Sequence, residues 1–228
     1  MTYQIPKRIR LNRVIIRAGM RIIFHAISRI RITGKHNIPK EGPYLIAINH
    51  VSLYDPPFVI SFWPIIPEAV GAAEIWSKRG QSTIARLYGG IPIRRGQYDR
   101  ESLERVLSAL RSGKPLVIAP EGTRSHKPGL QRAQPGIAFI LEQYSVPVIP
   151  VGIVGTTEDL IHEGLGAKRP ILEMNIGGKM LIEPYHLKGE AKKLERQKVA
   201  DKIMFRIAEL LPESYRGIYS NQESLNDR

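Results

Sequence analysis

The first residues in this chain whose types and spacing could do chemistry are His50 and Asp55, in the stretch Asn49-His50-Val51-Ser52-Leu53-Tyr54-Asp55. A histidine takes up a proton near neutral pH. A carboxylate on its other ring nitrogen fixes the tautomer and stabilises the imidazolium. That is the base half of a hydrolase triad without the enzyme nucleophile. No Gly-x-Ser-x-Gly elbow occurs, and there is no cysteine to supply a thiolate, a disulfide or a thiolate metal site. The attacking group would then be a hydroxyl of the substrate, and the product a transferred acyl group. Taken alone, the pair is also what a loop histidine and a turn aspartate before proline give.

Two further polar clusters carry chemistry. Arg94-Arg95-Gly96 and Glu121-Gly122-Thr123-Arg124-Ser125 each contain an arginine, whose planar fork matches phosphate oxygens and stays charged at any working pH. Gly122 allows close backbone approach, Thr123 offers a hydroxyl and an N–H, and Glu121 suits a ligand hydroxyl or an arginine to be held in place. Each arginine read singly is also an ordinary solvated charge, and Glu121 with Arg124 an ordinary local ion pair.

The three clusters follow three apolar runs of strand length: Pro43 to Ile48, Gly89 to Ile93 and Pro115 to Ala119. Strands are also expected over 69–73, 147–154 and 171–176, the last forming a hairpin with 179–182 through Gly177-Gly178. Helices are expected after Asp55-Pro56-Pro57 and over 74–88, 99–110, 135–144 and 190–211. This βα rhythm predicts an α/β fold, a single domain with a mostly parallel central sheet flanked by helices. The carboxyl ends of such strands share one edge, so clusters far apart in sequence can converge there. The expected division is an N-terminal amphipathic helical appendage over 1–33, the α/β domain over 34–219 and a polar tail over 220–228.

Charge bears on the partner. Lys and Arg number 34 against 21 Asp and Glu, a net +13, which attracts polyanions. Aromatics are only 7%, none interleaves with the arginine clusters, and no DNA- or RNA-docking motif is visible, so nucleic acid is not the expected partner. Within 7–32, Arg10, Arg13, Arg17 and Arg21 fall on one helical stripe, with Leu11, Ile15, Ala18, Ile22 and Ile23 on the other side. Arginines interrupt every window long enough to span a bilayer and persist through any would-be signal-peptide centre. The expectation is a helix in the headgroup plane, its basic face on an anionic membrane surface. An amphipathic helix packed on its own domain would show the same pattern.

Together the clusters resemble the glycerolipid acyltransferase family. Asn49-His50-Val51-Ser52-Leu53-Tyr54-Asp55 is similar to its NHxSxxD block, and GGIPIRR to its block ending in arginine. PEGTRS is similar to its EGTRS block and VPVIPVG to its proline-containing strand, all in the family's order. The likeness runs from Gly34 through LPESYRGIY. It implies that His50 deprotonates a glycerol hydroxyl attacking an acyl thioester, with Asp55 orienting His50 and Asn49 and Ser52 in support. Arg95 and Arg124 would hold the acceptor phosphate, with Glu121, Gly122 and Thr123 shaping that pocket. The implied acceptor is a lysophospholipid, lysophosphatidic acid first, with glycerol 3-phosphate or another lysophospholipid as alternatives. The acyl thioester donor is carried by coenzyme A or acyl carrier protein, and no metal or other cofactor is implied. Peripheral or monotopic attachment at the cytoplasmic face of the cell membrane follows. A non-catalytic lipid-binding protein is the contrasting reading, against which the intact base pair speaks. One departure stands out: where members often carry a lysine two residues before a glycine, this chain has Gln134, with Arg132 nearby.

Overall fold

The computed structural model describes residues 3–96, 99–166 and 169–221, so the expected polar tail beyond Asn221 lies outside the described residues. In chain order the elements are α1 (Lys7–Ile27), β1 (Arg29–Thr33), β2 (Leu45–Ile48), α2 (Asp55–Phe62), β3 (Glu68–Ala72), α3 (Gln81–Tyr88), β4 (Ile91–Ile93), α4 (Arg100–Arg111), β5 (Leu116–Ile118), α5 (Gly136–Gln143), β6 (Val148–Val154), α6 (Leu160–Leu165), β7 (Ile171–Ile176), α7 (Gly189–Ala208) and α8 (Glu213–Arg216). Among the described residues one seven-stranded sheet forms, in the order β1-β7-β6-β2-β5-β3-β4. From β6 to β4 every pairing is parallel; β7 runs antiparallel to β6, and β1 lies parallel to β7. The mostly parallel α/β sheet expected from the sequence is what forms.

The strand period of two divides the sheet's side chains between two cores. Leu45, Ala47, Leu116, Ile118 and Val148 face a core closed by α4, α5 and α7. Ile46, Ile48, Val117, Ile149, Val151 and Ile153 face a second core with Phe24 and Ile27 of α1, Phe58 and Val59 of α2 and Leu160 of α6. Burial on both faces explains why β2 reads as an unbroken apolar run rather than an alternating one.

Three elements differ from expectation. The N-terminal helix stops at Ile27, where Ser28 turns extended and its N–H returns to the Phe24 carbonyl, 3.0 Å away. Arg29–Thr33 is then a strand paired with β7, so the α/β unit begins at 29 rather than 34. Its sequence Arg-Ile-Arg-Ile-Thr alternates with period two and is rich in β-branched residues, which here outweighs the missing Gly or Pro break. Residues 179–182 form no hairpin with β7, because β1 and β6 already occupy both its edges. Instead Met180 bridges Val148, through two backbone hydrogen bonds of 2.9 Å. The helix expected over 74–88 divides into a 3-10 turn, Ala73–Ser77, and α3, with Gly80 at φ 76° between them.

The orientation of α1 is the largest surprise. It packs against α2, α3 and α6 with Arg13 and Arg17 of its arginine stripe toward the domain and Arg21 reaching back to it, while Arg10 stays exposed. Arg13 is buried and grips Glu68 with both guanidinium ends, each at 2.6 Å, while its Nε donates to the Tyr88 carbonyl. Tyr3 donates its hydroxyl to the same carboxylate. Arg17 donates to the Ile60 and Trp63 carbonyls and Arg21 to that of Ser61, so two arginines serve the carbonyls that the end of α2 leaves without helical partners. Phe24 and Ile27 enter the second core, but five other apolar residues of α1 point out: Leu11, Val14, Ile15, Ile22 and Ile23 are between 54% and 70% exposed.

Candidate active site

The parallel run of β6, β2, β5, β3 and β4 brings four strand ends to one edge. Asn49-His50 leaves β2, Arg95 leaves β4, Glu121 leaves β5 and Thr156 leaves β6. Asn49 locks the first of these to the last. Its side chain donates to the Ile153 carbonyl at 2.9 Å and accepts from the Ile153 N–H at 2.7 Å.

His50 and Asp55 meet: Nδ1 lies 2.9 Å from Asp55 Oδ2. Asp55 opens α2 ahead of two prolines, a place where a first turn tolerates them, and is fully buried. Its charge is met by three donors. The Ser52 N–H reaches Oδ2 at 2.8 Å beside His50, and the buried Thr156 hydroxyl donates to Oδ1. With the carboxylate accepting, His50 Nδ1 carries the proton and Nε2 presents its lone pair. The imidazole side chain keeps 19% exposure against none for Asp55, so the reactive face is open while the orienting group is sealed. Ser52 thus acts through its backbone; its hydroxyl accepts from the Tyr54 N–H at 3.1 Å.

Glu121 is placed differently from its expected pocket-lining position. It is 2% exposed, and both oxygens are taken by backbone donors: His50 N–H at 2.7 Å and Gln131 N–H at 2.8 Å. Burial pushes its carboxyl up to about 7, the Asp55 charge adding to the effect and the two N–H donors opposing it. Facing inward, it braces the His50 backbone against the following loop. The next residue, Gly122, sits at φ 70°, and a Cβ there would stand 3.0 Å from Gln134 Cγ. Backbone strain and the close contact both therefore disfavour a side chain. Gln134, at the expected lysine position, is the residue that covers this glycine, while the charge of exposed Arg132 acts on Tyr219. Thr123 is exposed at the turn.

The two arginines converge on this loop. Arg95 donates to the Gly122 carbonyl at 2.9 Å, and Arg124 belongs to the loop itself. The loop is tied to the His50 stretch by Ser125 N–H donating to the His50 carbonyl at 2.9 Å and His126 N–H to the Val51 carbonyl at 3.0 Å. Sequence reasoning missed Thr156 and Gln131. Thr156 was within reach of the strand-end rule, since it follows the buried run Val148–Val154 as His50 and Glu121 follow theirs. Gln131 contributes only a backbone N–H and leaves no trace in residue type.

Residues 29–154 match the acyltransferase family, a span that contains all four stretches on which the resemblance was drawn. Lysophospholipid acyltransferase LPCAT4 of Mus musculus is 32% identical over 140 residues, 58% of this chain and 25% of that protein. The Homo sapiens protein of the same name is 31% identical over 140 residues, with the same coverage of 58% and 25%. This chain therefore spans about a quarter of the length of these curated relatives. In fold it is similar to the crystal structure of the 1-acyl-sn-glycerophosphate (LPA) acyltransferase PlsC from Thermotoga maritima. The TM-score is 0.63 at 20% identity, over 95% of this chain and 80% of that one.

Proposed function

Because the chain belongs to the acyltransferase family, we propose that it moves a fatty acyl group from an acyl thioester to the sn-2 hydroxyl of lysophosphatidic acid, giving phosphatidic acid. The observation that carries this reading is the His50–Asp55 pair, 2.9 Å apart, beside two arginines that meet on one loop. In the proposed step the acceptor hydroxyl lies against His50 Nε2 and attacks the thioester carbonyl. The oxygen–carbon bond forms as Nε2 takes the hydroxyl proton. The carbon–sulfur bond then breaks, and the imidazolium returns that proton to the departing thiolate. Asp55 stabilises the transient imidazolium, and general base catalysis of this kind contributes about a hundredfold to ten-thousandfold. Arg95 and Arg124 hold the acceptor phosphate, so that the hydroxyl is delivered rather than encountered. The donor carrier is coenzyme A or acyl carrier protein.

The names of the LPCAT4 relatives favour a second reading, in which another lysophospholipid is the acceptor. A product assay separates the two. Labelled acyl thioester is offered with lysophosphatidic acid, glycerol 3-phosphate or lysophosphatidylcholine, and labelled phosphatidic acid is expected to form fastest. Product from lysophosphatidylcholine alone would transfer the assignment to that acceptor. No product from any acceptor would leave a lipid-binding protein.

The proposed site of action is a membrane surface, at the cytoplasmic face. Support comes from the outward apolar ridge of α1, and from exposed Ile84 and Leu87 on α3 and Ile161 and Leu165 on α6, both packed beside it. Among the described residues no helix is long and apolar enough to cross a membrane. Attachment is then by shallow insertion of that ridge, with the net +13 as long-range attraction. Replacing Ile15 and Ile22 by serine should lower vesicle affinity about tenfold or more, and the insertion should survive added salt. Binding abolished by salt and indifferent to the serines would restore the electrostatic account.

A further inference from the structure

Both arginines assigned to the acceptor phosphate already face a carboxylate. Arg124 Nη1 lies 2.9 Å from Glu158 Oε1, and Arg95 Nη2 lies 3.6 Å from Glu74 Oε2. The two contacts are unequal. Glu74 is 59% exposed and distant, whereas Glu158 makes a short charge-assisted hydrogen bond to a side chain only 24% exposed. Glu158 also stands among the residues of the site. It follows β6 two residues after Thr156, and its charge adds to the burial that raises the Tyr54 hydroxyl, next to Asp55. Arg124 itself neighbours Ser125, which donates to the His50 carbonyl.

A guanidinium N–H aimed at one anion is not available to another. An acceptor phosphate that takes this N–H of Arg124 Nη1 must displace Glu158 Oε1, and one bound at another of the five guanidinium donors meets the repulsion of the carboxylate beside it. Glu158 is fitted to give way. Its side chain is 37% exposed, so it can turn to water, and the same oxygen is 3.3 Å from His126 Nδ1, a second partner outside the arginine. His126 keeps its backbone in the loop beside Glu158, at φ 63° with its N–H bonded to the Val51 carbonyl, while its side chain is 61% exposed.

We propose that Glu158 is a resident anion that the acceptor phosphate displaces from Arg124, and that it returns as the product leaves. This rests on the phosphate role given to Arg124 above. The consequence is a site that holds its arginine aligned when empty, yet binds acceptor and product less tightly than two free arginines would. Product bearing the same phosphate is then released more readily. Glu74 plays the same part at Arg95 with a smaller effect, because its contact is longer and more exposed.

The test uses the whole chain and the probe inorganic phosphate, which needs no turnover. Titration of wild type, Glu158→Gln and Glu74→Gln by NMR should show phosphate binding about three- to fivefold tighter in Glu158→Gln, and less changed in Glu74→Gln. In the acyl-transfer assay, Glu158→Gln should lower the acceptor KM and strengthen inhibition by phosphatidic acid, with the donor KM unmoved. Phosphate binding unchanged or weakened in Glu158→Gln would overturn the proposal and make Glu158 a support for Arg124. If phosphate binds as expected but no lysophosphatidic acid is acylated by the wild type, the acceptor assignment fails and the anion exchange stands.

Discussion

On α1, buried Arg13, half-buried Arg17 and the more exposed Arg21 are met by a buried carboxylate and by backbone carbonyls. At the strand ends, Arg95 and Arg124 stand partly open and are met by carboxylates that reach water. The residue type is the same, and the surroundings decide its role. A guanidinium whose partners are sealed and fixed holds elements together, since no ligand can compete for its donors. One whose partner can move away keeps donors to offer. Arg13, Arg17 and Arg21 of the stripe are therefore structural, and the isolated arginines at the strand ends are the ones suited to binding.

Substitution can break this contrast at either end, and Arg13 should show the largest effect. Removing it leaves Glu68 buried without its countercharge, which costs about 3–5 kcal/mol. Thermal denaturation of Arg13→Ala should show that loss, while the acceptor KM of the remaining folded protein stays near wild type. A stable Arg13→Ala protein with a raised acceptor KM would reverse the assignment. Arg124→Ala should do the opposite, raising the acceptor KM about tenfold to a hundredfold with little change in Tm or donor KM. An unchanged acceptor KM would remove Arg124 from phosphate binding. The smallest effect concerns neither arginine but the sealed side of the His50–Asp55 pair. Thr156→Val withdraws one donor from Asp55 and should lower kcat about tenfold, leaving the acceptor KM alone, with Thr156→Ser restoring it. A loss of Tm without a loss of kcat would make Thr156 merely structural.

Much of this arrangement was legible in the sequence, and the failures have physical causes. Buried strands announced themselves as short apolar runs, and the polar residues that follow them had to lie along one edge. That pattern points to His50, Asp55 and the two arginines, and the fold brings them to one edge. Helical periodicity likewise separated the two faces of α1, but a period identifies faces without saying which one points inward. That choice was made by Glu68 and the α2 carbonyls, acceptors that lie 40 to 55 residues away in sequence. The strand Arg29–Thr33 was hidden because its alternation followed a helix without a break. Glu121 was misplaced for a related reason: residue type reveals a carboxylate's capacity to bind, whereas the backbone N–H groups that occupy it are visible only in the fold.

The central claim is that His50, held by Asp55, takes the proton from a substrate hydroxyl, and no acyl group ever rests on the enzyme. Its most direct test compares wild type and His50→Ala with labelled acyl thioester and lysophosphatidic acid, at matched fold and acceptor affinity. Loss of about a hundredfold or more in kcat is expected, with no label retained by the wild-type protein when acceptor is withheld. Equal turnover by His50→Ala, or label held covalently by the wild type, would contradict it.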